Sequence, residues 1–308
     1  MKTFVVAQKE HNALAKGVAQ ALGLSLIEPQ TVHFADSELR VLMPDLSVCA
    51  GAHAIVVHST APPVQENMFW LFQTCHALQQ AGVKKITAVV PYLGYARQEK
   101  NPDGTVGAMQ LIARLIEAAG VDQLVTVALH DPSIVSFFSI PVYGITLAPF
   151  LADFFSQHYK QGEVTLVAPD EGAAAFVDQI AELMKVPSIY FEKERYAVDK
   201  TRVLSSSGVC NTTDAVVIDD IIDTGSTIID VGRLLFEKMG CSQEQGRTVY
   251  ACAIHPVFSA NAVDCLQESM FARVWVTNSI ALPKEKMFEK LQVINISSPI
   301  AQVVHQLL

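Results

Sequence analysis

Short apolar runs alternate with longer amphipathic segments along most of the chain. The runs are predicted as eight strands: Phe4–Ala7, Ala54–His58, Ile86–Val90, Leu124–Leu129, Val164–Ala168, Ala215–Ile218, Thr248–Ile254 and Val274–Thr277. Their apolar residues are continuous rather than alternating, as in Ala215-Val-Val-Ile218, which indicates strands buried on both faces. Such strands are typical of a parallel sheet that is covered by helices.

Between these runs, apolar residues recur at the three- and four-residue spacing of an amphipathic helix. Seven helices are predicted on this basis: Ala13–Leu22, Val64–Ala81, Ala108–Ala119, Phe150–His158, Ala173–Lys185, Ile228–Met239 and Ala260–Glu268. A final helix is predicted at Ala301–Leu308, and the sequence does not indicate which part of the fold it packs against. The alternation of strands and helices predicts an α/β fold.

The best candidate for a domain boundary is the segment Pro141–Pro149, where two prolines and Gly144 interrupt the pattern. Each side of this segment holds its own series of strands and helices. The length of 308 residues, half of them hydrophobic, is enough for two cores. We therefore expect two similar α/β domains, 1–145 and 146–308.

The charge balance excludes several classes of partner. There are 22 basic and 31 acidic residues, a formal net charge of −9, and no run of Lys or Arg. Non-specific binding to nucleic acid or to an anionic membrane is therefore not expected. No uncharged apolar stretch reaches the roughly 18 residues that a membrane span needs.

The N-terminus and the cysteines indicate a cytoplasmic protein. Polar residues from Gln8 onward come before any apolar core of a signal peptide could form. The six cysteines are scattered, with no Cys-x-x-Cys pair and no zinc-type spacing, so we interpret them as reduced core residues: Cys49, Cys75, Cys210, Cys241, Cys252 and Cys265.

The most informative local pattern is a buried strand that leads through acidic residues into a small-residue loop and a helix. Asp219 and Asp220 follow the apolar strand, and the loop reads Asp223-Thr-Gly-Ser-Thr227. Gly225 permits close backbone approach, while hydroxyl groups and unpaired amides of such a loop can surround a phosphate. The two adjacent carboxylates suit either vicinal sugar hydroxyls or a magnesium ion. A capped surface turn is the simpler alternative, but it does not explain two carboxylates after a buried strand.

This stretch resembles the 5-phosphoribosyl-1-diphosphate (PRPP) binding motif of type I phosphoribosyltransferases and ribose-phosphate diphosphokinases. Other segments resemble the diphosphokinase family, also called PRPP synthetase: His33–Leu39, Ser59–Asn67, Val90–Gln98, Val167–Gly172, Cys252–Ser259 and Val276–Ile280. The resemblance runs collinearly along nearly the whole chain. It implies two tandem type I phosphoribosyltransferase-like domains, with ATP on the side of 1–145 and ribose 5-phosphate or PRPP on the side of 146–308.

The activity implied by the resemblance is transfer of the ATP β,γ-diphosphoryl group to the C1 hydroxyl of ribose 5-phosphate, which gives PRPP and AMP for nucleotide biosynthesis. The chain has no P-loop and no Gly-x-Gly-x-x-Gly, which agrees with a family that uses its own loops for ATP. The resemblance assigns seven residues to ribose 5-phosphate: Asp219, Asp220, Asp223, Thr224, Gly225, Ser226 and Thr227.

The resemblance also assigns the ATP site. Phe34, Asp36 and Glu38 occupy positions that hold adenine from across a subunit interface in the family, and Phe34 would stack on the base. Arg97 and Gln98 would clamp ATP oxygens. The chain is therefore expected to form a homo-oligomer, with a dimer as the minimum and a tetramer or hexamer compatible with the resemblance.

Magnesium and the catalytic cations are likewise assigned by resemblance. His130 and Asp170 match positions near the metal and the triphosphate, with a hydrogen bond from His130 to phosphate as the alternative. Lys193 and Arg195 match the catalytic basic pair, whose role is charge stabilisation during transfer. Lys200 and Arg202 form a rival pair, and either pair could be a solvated charge cluster. Lys193 lies 26 residues before Asp219, the spacing expected for the family.

Three segments depart from the family pattern. Ala128 stands where an aspartate is expected, although Asp131 is close by, and Pro169–Ala173 carries Glu171 and Ala173 in place of a histidine and a glycine. The loop 99–106 is short and contains Lys100 but no arginine. These departures bear on regulation more than on the reaction.

Two alternatives to the diphosphokinase activity stay open. One is a catalytically silent regulatory homologue. The other is a PRPP-dependent phosphoribosyltransferase, which is less favoured because it leaves the ATP-side segments unused.

Overall fold

The computed structural model describes residues 1–9, 13–44, 47–99, 107–197, 200–239 and 246–308, and at 193–197, 200–205 and 238–239 it describes the backbone alone. The chain divides into two compact units. Unit 1 consists of Met1–Ile145, Ser279–Ala281 and Asn295–Leu308, and unit 2 consists of Thr146–Asn278 and Leu282–Ile294.

The described part of unit 1 contains eight strands: β1 (Thr3–Val6), β2 (Ser25–Ile27), β3 (Gln30–His33), β4 (Leu39–Leu42), β5 (His53–Val57), β6 (Lys85–Val90), β7 (Gln123–Val127) and β8 (Val142–Ile145). Six of them form a parallel sheet in the order β2-β1-β5-β6-β7-β8, and β3 and β4 form a separate antiparallel hairpin. Its helices are α1 (Ala13–Leu22), α2 (Val64–Gln80), α3 (Ala108–Ala118) and the C-terminal helix Ser297–Gln306, with a 3-10 helix at Pro132–Phe137.

The described part of unit 2 contains seven strands: β9 (Val164–Ala168), β10 (Ser188–Ala197), β11 (Lys200–Ser206), β12 (Asp214–Ile222), β13 (Thr248–Pro256), β14 (Val274–Thr277) and β15 (Leu291–Ile294). Their order is β11-β10-β9-β12-β13-β14-β15, and every pair except β10 with β11 is parallel. The helices are α4 (Ala148–Ser156), α5 (Glu171–Met184), α6 (Ser226–Met239) and α7 (Ala262–Glu268), with a 3-10 helix at Lys284–Lys286; the C-terminal helix of unit 1 is α8.

The predicted α/β class, with mainly parallel sheets flanked by helices, is confirmed. Every residue of β5, β7 and β9 is buried, as continuous apolar runs predict. Helix α3 buries residues at the predicted helical spacing, including Met109, Ile112 and Ile116. In the described part of the chain, no helix is both long and apolar enough to span a membrane.

Several boundaries differ from the prediction for identifiable reasons. Strand β12 continues to Ile222, so Asp219 and Asp220 lie within a paired strand rather than after it. Helices α4 and α8 begin earlier than predicted, because Pro149 and Pro299 lie in their first turns, where a missing backbone N–H costs nothing. Residues 295–308 are grouped with unit 1, whereas the predicted second domain, 146–308, included them.

A buried polar network lies near the N-terminal ends of three strands of unit 1. His53 is 1% exposed, and its Nε2 lies 2.7 Å from the Thr87 hydroxyl oxygen, which also accepts a hydrogen bond from Gln123 at 2.7 Å. Burial, followed by the positive charge of Lys85, lowers the pKa of His53 to about 4, although Asp122 opposes the shift. The fold therefore holds this histidine in its neutral form.

The buried imidazole predicts a loss of stability in mild acid. Its pKa is lower in the folded state than in the unfolded state, so the stabilisation present above pH 6.5 is lost as the pH falls from about 6.5 to about 4. We expect the contribution of His53 to the free energy of unfolding to fall by about 2 kcal/mol between pH 7.5 and pH 5. Urea denaturation of the wild type and His53→Gln at both pH values measures it. An identical pH dependence in the two proteins would contradict this prediction.

Candidate active site

The centre of the candidate site is a pair of neighbouring carboxylates on β12. Burial raises the pKa of Asp219 well above its usual range, and the nearby charges of Asp220 and Asp170 raise it further. The backbone N–H of Asp220 donates to Asp219 Oδ1 at 2.9 Å, which opposes the shift only in part. The carboxylates are therefore held together against their mutual repulsion, an arrangement that favours hydroxyl donors or a cation as a ligand.

The loop after β12 has the geometry of a phosphate cradle. Gly225 is buried and has a φ of +82°, a conformation that favours glycine. Thr224 and Ser226 are exposed, and their hydroxyl oxygens lie 3.1 Å apart. The N–H of Ile229 donates to the carbonyl of Gly225 at 3.0 Å, so α6 begins directly at the loop, while Thr227 lies in its first turn. The amides of this turn and the loop hydroxyls can surround an anion.

Asp170 lies beside this cluster within unit 2. It follows β9, which pairs with β12, and its carboxylate caps α5 by accepting from the N–H of Ala173 at 3.2 Å. Its charge acts on Asp219. The structure therefore brings together three of the predicted acidic residues, Asp170, Asp219 and Asp220, at adjacent strands.

His130 lies in unit 1. It is exposed and follows Ala128, whose φ is +43°, and Leu129. Asp131 accepts from the N–H of Ser133 at 2.8 Å and caps the 3-10 helix there. The described residues contain no group of three His, Cys, Asp or Glu side chains that could hold a metal ion unaided. The oxygen donors of unit 2 nonetheless suit Mg²⁺, which usually retains waters and takes further ligands from substrate phosphates.

The predicted adenine-binding residues lie at the turn of the β3–β4 hairpin. The N–H of Phe34 donates to the carbonyl of Glu38 at 2.9 Å, and the N–H of Glu38 donates to the Asp36 carboxylate at 3.1 Å. Asp36 thus helps to form the turn. Phe34 is 46% exposed, which leaves its ring accessible for stacking.

Helix α2 holds this hairpin in place through side chains. Gln73 donates to the carbonyl of Leu39 at 2.7 Å and accepts from the N–H of Val41 at 3.1 Å. Trp70 donates to the Thr31 hydroxyl at 3.1 Å. The periodicity of α2 predicted the helix but not these contacts, because they depend on the pairing of two strands that the sequence pattern did not reveal.

Arg97 and Gln98 are exposed on a turn after β6. The Thr60 hydroxyl anchors the start of this turn, since it donates to the carbonyl of Tyr92 at 3.0 Å and accepts from the N–H of Gly94 at 2.8 Å. The N–H of Gln98 donates to the carbonyl of Tyr95 at 2.8 Å. The rest of the predicted ATP-side loop, residues 100–106, lies outside the described residues.

The two candidate basic pairs lie on the antiparallel strands β10 and β11. Lys193 pairs with Val203 and Arg195 with Thr201, while Lys200 pairs with Ala197 and Arg202 with Glu194. The side chains of both pairs lie outside the described part of the structure. The choice of Lys193 over Lys200 therefore stays a prediction.

Two residues near the loop were not predicted as functional. The Ser259 hydroxyl donates to the Asp223 carboxylate, and the Ser259 N–H donates to the Asp223 carbonyl at 3.0 Å. Burial lowers the pKa of Lys286, and the negative charge of Asp223 opposes this shift, which places the ammonium group in the field of that carboxylate. Ser259 ended a segment already noted in the sequence, whereas no sequence pattern pointed to Lys286.

Both halves of the chain match models of known protein families. A family model described as the N-terminal domain of ribose phosphate pyrophosphokinase matches residues 3–120. A second one, described as a phosphoribosyl transferase domain, matches residues 143–255. The second match includes β12, the loop and all of β13 except its last residue.

Full-length relatives and a solved structure agree with these matches. The chain is 34% identical to ribose-phosphate pyrophosphokinase 1 of Streptococcus pyogenes, over 99% of this chain and 93% of that protein. It is 32% identical to ribose-phosphate pyrophosphokinase 1 of Listeria monocytogenes, over 98% and 93%. The crystal structure of phosphoribosylpyrophosphate synthetase from Mycobacterium smegmatis superposes with a TM-score of 0.87 at 28% identity, covering 100% of this chain and 99% of that one. The chain therefore belongs to the ribose-phosphate pyrophosphokinase family.

Proposed function

We propose that the chain is an active, magnesium-dependent ribose-phosphate pyrophosphokinase that converts ATP and ribose 5-phosphate into PRPP and AMP in the cytoplasm for nucleotide biosynthesis. The observation that carries the proposal is the half-buried carboxylate pair Asp219 and Asp220 leading into the glycine-containing loop 223–227, in a chain that matches the family along its whole length. This arrangement offers acceptors for sugar hydroxyls and donors for a phosphate, side by side.

In the proposed complex, the 5-phosphate of the sugar lies against the loop amides and the hydroxyls of Thr224, Ser226 and Thr227. Asp219 and Asp220 accept hydrogen bonds from the ribose hydroxyls or contribute oxygen ligands to Mg²⁺, together with Asp170. These residues would hold the ion, and magnesium chemistry there would be neutralisation of phosphate charge. His130 binds near the triphosphate, either to the metal or to a phosphate oxygen.

The C1 hydroxyl oxygen of ribose 5-phosphate attacks the β-phosphorus of ATP, the bond from that phosphorus to the α,β-bridging oxygen breaks, and AMP leaves. Lys193 and Arg195 stabilise the charge that develops on the transferred group and on the leaving phosphate. Phosphoryl transfer depends mainly on such positioning and charge stabilisation. No basic surface is needed, which is compatible with a net charge of −9.

ATP is proposed to bind through Arg97, Gln98 and the hairpin residues Phe34, Asp36 and Glu38 of a neighbouring subunit. The exposed ring of Phe34 supports this role, because a large apolar side chain at a hairpin turn gains by covering a planar ligand. A dimer is then the smallest unit with a complete site, and a tetramer or hexamer would repeat it.

Formation of AMP tests the proposal directly. With ATP, Mg²⁺ and ribose 5-phosphate the protein is expected to release AMP and PRPP in equal amounts, and omission of either the sugar phosphate or the metal should abolish both. A folded protein that binds ribose 5-phosphate without forming AMP would instead be the silent regulatory homologue, which Ala128 in place of the expected aspartate favours. Release of diphosphate from PRPP with an added nucleobase would identify a phosphoribosyltransferase.

A further inference from the structure

The segment that follows β13 and carries the end of the Cys252–Ser259 motif contacts the start of the phosphate loop. The N–H groups of Val257 and Phe258 both donate to the carbonyl of Ile222, at 3.0 and 3.1 Å. The next residue, Ser259, donates twice to Asp223, from its N–H to the carbonyl and from its hydroxyl to the carboxylate. Three consecutive residues, 257–259, therefore hold the two residues at which β12 becomes the loop.

The backbone of this segment is constrained. Phe258 and Ala260, on either side of Ser259, each have a φ of +50°, which is uncommon for residues with a side chain. Phe258 is 2% exposed, and its ring lies 6.0 Å from that of Phe288. Burial of the Phe258 ring thus maintains the unusual backbone conformation, and this conformation turns the Ser259 hydroxyl toward Asp223.

Lys286 contacts the segment 257–259 from a different part of unit 2. Its ammonium group donates to the carbonyl of Val257 at 2.7 Å, and it lies in the electrostatic field of Asp223. Packing of Phe288 on Phe258 keeps this part of the chain in contact with the segment. The cation is half-buried, whereas Lys284, on the same 3-10 helix, is exposed.

We propose that Ser259 and Lys286 are positioning residues for ribose 5-phosphate, which hold Asp223 and the loop 223–227 in the geometry that receives the 5-phosphate. The inference rests on the proposed function. Asp219, Asp220 and Asp223 place three carboxylates where an anionic sugar phosphate must bind, so a cation that is fixed at the Val257 carbonyl and interacts electrostatically with Asp223 lowers the repulsion at the loop. The hydroxyl of Ser259 fixes the direction of the same carboxylate.

The test compares Lys286→Met with Lys286→Arg and with the matched control Lys284→Met. We expect Lys286→Met to raise both the KM and the Kd for ribose 5-phosphate about tenfold, the effect of losing one charge-assisted interaction. The KM for ATP should stay within about twofold of the wild type. Lys286→Arg should restore ribose 5-phosphate binding, and Lys284→Met should behave as the wild type. Ser259→Ala should also weaken the binding of ribose 5-phosphate. Because this substitution is small, it tests the proposal even if Lys286→Met does not fold.

Calorimetric titration of ribose 5-phosphate without ATP separates this inference from the proposed activity. If the wild type binds the sugar phosphate but forms no AMP, the proposed activity fails, and the Kd values of the variants still decide the positioning roles. The positioning roles would be overturned if the variants bound ATP and ribose 5-phosphate equally weakly, or if Lys284→Met raised the Kd for ribose 5-phosphate as much as Lys286→Met. A wild type that does not bind ribose 5-phosphate would overturn both.

Discussion

Lys193→Ala is expected to lower kcat by roughly 10³-fold while leaving both KM values nearly unchanged. A cation that neutralises charge during diphosphoryl transfer interacts with the transition state far more than with the bound substrates, so its removal affects kcat and kcat/KM alike. Steady-state measurement of AMP formation at varied ATP and ribose 5-phosphate gives both parameters. Arg195→Ala should act in the same direction.

Lys200→Ala is the matched comparison, because β10 and β11 form one antiparallel ladder and both lysines lie on it. If Lys193 is the catalytic cation, Lys200→Ala retains most of the wild-type kcat. The reverse result, with turnover lost only in Lys200→Ala, would show that the spacing argument is wrong and that Lys200 and Arg202 form the catalytic pair. Wild-type turnover in both variants would show that both pairs are solvated charge clusters.

The architecture was predictable where strands are buried on both faces. The run Ala215–Ile218 is buried throughout and identified β12, and α3 showed a clear helical period. Most of the strands missed are short or lie at edges, such as β2 and β15, where exposed positions interrupt the apolar pattern. The longer strand β10 was missed because charged residues interrupt its apolar run. Exposed positions also interrupt the pattern of the β3–β4 hairpin, which side chains of α2 hold in place.

The candidate site was predictable to the extent that it is contiguous in sequence. Residues 219–227 form one strand, loop and helix, so local pattern alone suggests a phosphate site. The proximity of Asp170 to Asp219 follows from the pairing of β9 with β12. The contact of Ser259 with Asp223 and that of Lys286 with the Val257 carbonyl follow from tertiary packing. A single sequence does not encode such pairings in any local signal.

Asp219→Asn is expected to stabilise the ligand-free protein while lowering kcat/KM for ribose 5-phosphate about 10²-fold. The pKa of Asp219 is raised in the fold by burial and by the charges of Asp220 and Asp170, so its ionised form is disfavoured there. Relative to the fully protonated state, stability falls as the pH rises from the unfolded value of 3.8 through the raised folded pKa. Asparagine removes this penalty, which raises the free energy of unfolding at neutral pH by on the order of 1 kcal/mol. It also removes the charge that the substrate hydroxyls or the metal require.

Thermal unfolding with and without Mg²⁺ separates the two effects. The Tm of Asp219→Asn should exceed that of the wild type near pH 7.5, and the difference should vanish below about pH 4, where the carboxyl is protonated in both states. Magnesium should raise the Tm of the wild type more than that of the variant, since a cation relieves the same repulsion. Asp214→Asn is the control, because burial and Glu163 also raise the pKa of that carboxyl, at the opposite end of the same strand. It should be stabilising without loss of activity. If Asp219→Asn lowers the Tm, or if Asp214→Asn is equally inactive, the carboxylate pair is not the strained ligand-binding feature that its environment indicates.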